Sequence, residues 1–110
     1  MEFLVKILCS IYRRQYTISR DRLFLILIAF RNIYPQLRDY TRRNFFQDLA
    51  KLRKQGLIVF EKRNGKTRIR PSEKLIEKCF REYDKDIDDI VETLLKLRNR
   101  ELAMLINLLN

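Results

Sequence analysis

The chain has 110 residues, of which 46% are hydrophobic and 35% charged, with 24 basic and 14 acidic side chains and a net charge of +10. That size suits one domain with an extension, and that apolar content excludes wholesale disorder. There is no histidine, so the usual general base and the commonest nitrogen metal ligand are both missing, and neither catalysis nor a metal or other cofactor is expected.

The charge is unevenly placed. Residues 1–71 hold 17 basic against 5 acidic side chains, whereas residues 72–110 hold 7 against 9. A basic working module (1–71) joined to a segment with another task (72–110) fits this asymmetry, and a polyanion is its natural partner. Leu23–Phe30 is all apolar but too short to span a bilayer, and Glu2 and Lys6 interrupt any signal-like stretch. No membrane association is expected, and the chain reads as intracellular. Cys9 and Cys79 each sit in an apolar helical pattern and are expected as buried free thiols.

Phe3, Leu4, Ile7, Leu8, Ile11 and Tyr12 repeat at helical spacing and predict a helix over 2–14. Gln15 to Ile18 is short and β-prone. Ser19 can cap a second helix running to about Arg31, which should be the most buried element. Periodicity alone leaves open a buried strand at Leu23–Phe30. Arg31 to Tyr40 contains Pro35 and reads as a turn, with Asp39 or Thr41 capping the next helix.

In that helix Phe45, Leu49 and Leu52 make a narrow apolar face, and Tyr40, Arg43, Asn44, Gln47, Lys51 and Lys54 fall opposite. Gly56 stands where helices end in the left-handed conformation. Leu57–Phe60 is β-prone, Asn64-Gly65 favours a type I′ turn, and the return strand is basic at Lys66, Arg68 and Arg70. Of the residues from Thr41 to Pro71 ten are basic, and only Asp48 and Glu61 oppose them.

The run LAKLRKQGLIVFEKRNGKTRIR resembles the recognition helix and wing of winged-helix (helix-turn-helix) proteins. The resemblance covers roughly Phe3 to Lys74 and extends to small archaeal or archaeal-virus winged-helix regulators with a helical tail. It implies double-stranded DNA as the partner, with the helix in the major groove and the hairpin on backbone or minor groove. The residues it assigns to DNA are Tyr40, Arg42, Arg43, Asn44, Gln47, Lys51, Lys54, Lys62, Arg63, Lys66, Arg68 and Arg70. Asn44 and Gln47 carry the amides suited to bidentate contact with adenine.

After Pro71-Ser72-Glu73, a helix-start signature, no glycine or proline occurs. Ile76, Phe80, Tyr83, Ile87, Ile90, Leu94, Leu97, Met104 and Leu108 alternate at spacings of four and three, broken only at Glu101. That pattern predicts a long coiled-coil helix, about 55 Å if continuous, pairing two copies into a homodimer. Val91, Leu95, Leu102, Leu105, Ile106 and Leu109 form a second stripe. The alternative is a tail folded back over its own domain. Asp84, Asp86, Asp88 and Asp89 resemble a calcium loop but fail it, with Asp89 at the glycine position and Leu95 at the final glutamate. They are expected to form a solvated face or to cap a helix restarting near Asp86.

The expected fold class is therefore mainly α with a small β-hairpin (α+β): a winged helix-turn-helix followed by a long C-terminal coiled-coil helix. The expected function is a dimeric DNA-binding regulator, not an enzyme, with no small-molecule ligand evident and a nucleoid location. Two alternatives stay open: a protein-interaction module of a replication or transcription assembly, and a chromatin-like, non-specific DNA binder.

Overall fold

The first helix, α1 (Glu2–Tyr12), buries Leu4, Val5, Ile7, Leu8, Cys9, Ser10 and Ile11 in the computed structural model, which describes the backbone of residues 2–109 and the side chains of residues 2–108. A two-residue strand β1 (Ile18–Ser19) leads into α2 (Arg20–Ile33), whose N-cap Ser19 accepts from the backbone N–H of Arg22. The apolar stretch within α2 is helical, yet α1 buries more of its length. The C-terminal part of the chain packs over α1, and that cover was not visible in local pattern.

A single 3₁₀ turn at Pro35–Leu37 follows α2 and leads to α3 (Arg42–Lys54). Thr41 caps α3, accepting from the backbone N–H of Asn44. The helix ends with Gly56 at φ 73°. The N–H groups of Gly56 and Leu57 reach back to the carbonyls of Arg53 and Leu52, which satisfies two otherwise unpaired carbonyls. Strands β2 (Ile58–Arg63) and β3 (Lys66–Pro71) then form a hairpin whose turn residues Asn64 and Gly65 have φ of 52° and 77°. Two positive φ values in succession are what a type I′ turn requires.

The sheet is antiparallel with order β1-β3-β2, and Ile18, Ile69 and Phe60 line up across it. Ile18 and Ile69 are fully buried, joining Leu23, Ile26, Phe30, Phe45 and Leu49 in one core. Each such side chain contributes roughly 1.5–3 kcal/mol relative to exposure.

The expected long coiled-coil helix is not present among the described residues. Its place is taken by three short helices: α4 (Glu73–Cys79), α5 (Lys85–Leu95) and α6 (Asn99–Leu109). The longest dimension of the described structure is 37 Å, less than a continuous helix would need. Of the nine seam residues, Ile87 and Leu94 are buried in the chain's own core, together with Val91 and Leu102 of the second stripe. Ile90, Leu95, Leu97, Leu105 and Ile106 are half-buried against it. Ile76, Phe80, Tyr83, Met104 and Leu108 are exposed. The Leu109 side chain lies outside the described residues. Among the described residues the fold is α+β with six α-helices and a three-stranded sheet, and residues on both sides of Pro71 share one core.

Both breaks in the tail have a physical cause. Arg13 donates to the carbonyls of Cys79 and Glu82, and Asp84 then caps α5 by accepting from the backbone N–H of Ile87. Arg22 donates to the carbonyls of Leu95 and Leu97 and to Asn99, while Glu101 accepts from the backbone and side chain of Arg98. Two arginines of the N-terminal half thus satisfy carbonyls that a continuous helix would have satisfied internally.

The cysteines also differ from expectation. Cys9 and Cys79 form a disulfide across 70 residues, tying α1 to α4. Neither cysteine's local pattern carries information about the other, so the pairing had no sequence signal.

Candidate nucleic-acid interface

The outward side of α3 follows from its buried side. With Phe45, Leu49 and Leu52 in the core, the opposite arc presents Arg43, Gln47, Ala50, Lys51 and Lys54, all exposed. The side chains of Arg43, Gln47, Lys51 and Lys54 have no hydrogen-bond or ion-pair partner among the described residues. Their cations and the Gln47 amide stand ready for an external ligand.

Asn44 is differently committed. Its Oδ1 accepts from the backbone N–H of Thr41 at 3.0 Å and from the Thr41 hydroxyl at 2.8 Å, completing a capping box. An amide whose oxygen is engaged cannot also make a bidentate contact with a base edge. Tyr40 is half-buried, and its hydroxyl donates to Asp48 at 2.8 Å. Burial and that hydrogen bond hold the Tyr40 phenol well above its ordinary pKa.

The hairpin divides into two parts. At its tip Lys62, Arg63 and Lys66 are exposed, and Arg63 lies directly across from Lys66 in the ladder. Like charges facing each other across strands are destabilising in isolation. Nearer the core, Arg68 donates to the hydroxyl and carbonyl of Thr17, and Arg70 donates to Glu61 at 2.5 Å. The predicted charge row therefore splits: Lys66 projects at the tip, whereas Arg68 and Arg70 hold the sheet. The tip also approaches the start of α2, since Gly65, Lys66 and Thr67 line a hollow of about 140 Å³ with Ser19, Arg20 and Asp21.

Arg42 is exposed at the first position of α3, its guanidinium 5.4 Å from the Phe46 ring centroid and 5.7 Å from that of Phe24. Arg20 lies 5.5 Å from the same Phe46 ring, and Arg53 lies 5.1 Å from the Phe60 ring. This cation–aromatic cluster flanks the helix and was missed in the sequence. The signal available was the Phe45-Phe46 pair, since on one helix only one of two adjacent rings can face the core.

The four aspartates of the apparent calcium loop are dispersed. Asp84 is a helix cap, and Asp88 is buried against Ser10 and Arg14. No helix among the described residues is long and apolar enough to cross a membrane. Comparison with protein families, with curated proteins and with solved structures finds no match for this chain.

Proposed function

We infer that this chain binds double-stranded DNA in the manner of the winged-helix proteins its helix and hairpin resemble, with α3 in the major groove and the hairpin tip on backbone or minor groove. The observation that carries this reading is the pairing of two unneutralised basic surfaces. One is the outward row Arg43, Lys51 and Lys54 of α3 around Gln47; the other is the tip Lys62, Arg63 and Lys66. A protein gains nothing internally from facing Arg63 against Lys66, and phosphates neutralise both. Arg43, Gln47, Lys51, Lys54, Lys62, Arg63 and Lys66 carry the contact, with Arg42 at its margin. A role in transcription regulation and a nucleoid location go with this reading.

Gln47 is the side chain that separates a sequence-specific regulator from a general DNA-coating protein. Phosphate contacts position a protein, and base contacts specify its site. Selection of bound sequences from random duplex DNA tests the reading, with affinity followed against salt. A defined motif and a steep salt dependence support a regulator. Steep salt dependence without a motif supports the chromatin-like alternative, and absence of duplex binding at low salt removes both.

A further inference from the structure

Beside α3, between the start of α2 and strand β2, lies a hollow of about 410 Å³. That volume falls in the range of small-molecule sites, roughly 300–1,000 Å³. Phe46, Ala50 and Phe60 supply apolar walls, Arg20, Arg53 and Lys54 ring it, and among the described residues no carboxylate lines it. Arg20 lies over Phe46 and Arg53 over Phe60. A guanidinium resting on an aromatic face keeps its N–H edge free, and that edge matches a carboxylate. The Arg20 Nε–H is shielded and has no acceptor among the described residues. An unmet donor of this kind is costly, and a small swing of the side chain toward an acid in the hollow would satisfy it.

We propose that this hollow binds a small aromatic carboxylate, one or two fused rings lying against Phe46 and Phe60 with the acid group among Arg20, Arg53 and Lys54. The two halves of the ligand answer two halves of the site. An aliphatic acid leaves the rings and flat guanidinium faces uncovered, and a neutral aromatic leaves three cations unpaired. The site shares only Lys54 with the residues assigned to DNA, and its test uses no DNA, so the two readings stand or fall separately.

The test is titration of the full-length ¹⁵N-labelled chain with sodium 2-naphthoate at constant ionic strength, followed by amide NMR shifts. The expected result is saturable binding, with shifts centred on Arg20, Phe46, Ala50 and Phe60. Acetate (charge without rings) and 2-naphthylmethanol (rings without charge) should each bind about tenfold more weakly or worse, a difference of about 1.4 kcal/mol or more. Ala50→Trp fills the hollow from an exposed helix position and leaves every cation in place, so it should abolish naphthoate binding. Should that variant not fold, Arg53→Gln combined with Lys54→Gln should weaken naphthoate by a similar factor. Equal shifts with acetate or inorganic phosphate would mean only general attraction to a basic surface. That outcome, an unchanged affinity in the variants, or shifts centred elsewhere overturns the proposal.

Discussion

Asp88 accepts a hydrogen bond of 2.8 Å at each carboxylate oxygen from the two terminal nitrogens of Arg14, 74 residues earlier in the chain. The Ser10 hydroxyl donates to the same carboxylate at 2.6 Å. This group of three latches α5 onto α1. The Arg14 hydrogen bonds, chiefly, hold the Asp88 carboxyl well below the usual carboxylate range despite its burial.

Because folding lowers the Asp88 pKa, its contribution is complete above the unfolded value near 3.9 and is lost as pH falls below about 4. Asp88→Asn should cost on the order of 2 kcal/mol at pH 7. That is less than the 3–5 typical of a fully buried pair, because the Arg14 side chain remains 28% exposed. Denaturant unfolding between pH 7 and pH 3 checks both parts. The wild-type chain should lose stability over the acid range, and the variant should lose less.

Asn44 and Gln47 should separate cleanly, although both were expected to read bases. Asn44→Ala removes a capping box and should cost about 1 kcal/mol of folding stability, weakening all DNA binding alike. Gln47→Ala should leave the melting temperature nearly unchanged and alter preference among sites by roughly 1–3 kcal/mol. Thermal unfolding together with fluorescence anisotropy on selected and scrambled duplexes distinguishes the two.

The hairpin makes a parallel contrast. Arg63→Ala with Lys66→Ala removes two tip charges, and the slope of log K against log salt should flatten by about 1.8, or 0.9 per contact. Arg68→Ala removes bonds to Thr17 and should act first on folding stability, because it loosens the join between β1 and β3. Salt titrations set beside melting curves check this.

Leu94 tests the architecture of the tail. In a coiled-coil seam Leu94→Asp would split a dimer and leave each protomer folded. Here Leu94 is 2% exposed within the chain's own core, so the variant should unfold, at a cost of several kcal/mol. Circular dichroism of the variant decides the matter, and a folded monomer would speak against the packing described.

The middle of the chain was legible because its signals are local. Ser19, Thr41 and Ser72 cap helices, Gly56 ends one, and Asn64-Gly65 turns the hairpin, each through atoms within a few residues. The tail was misread because spacings of four and three describe one long seam and several short helices equally well over any single helix. What selects the short helices is Arg13 and Arg22, which reach carbonyls more than sixty residues away. Asp84 and Glu101 were the local signs of those breaks: a helix capped by an aspartate of this cluster and restarting near Asp86 is what α5 supplies, whereas heptad counting treats Glu101 as a single interruption of one helix. In the candidate interface, helical phase found the outward face of α3. It could not find that Asn44, Tyr40, Arg68 and Arg70 each have a partner inside the fold.

The Cys9–Cys79 bridge gives the chain a topology as well as a contact. Residues 9 to 79 form a closed covalent ring, and α2, α3 and the whole hairpin lie on it. A protease that cut once at the exposed hairpin tip would open that ring without releasing a fragment. The nicked protein would keep α3 joined to the chain through its N-terminal side alone, and its two pieces would be held together covalently through the Cys9–Cys79 sulfurs. Its loss of mass would become visible only after a reductant was added.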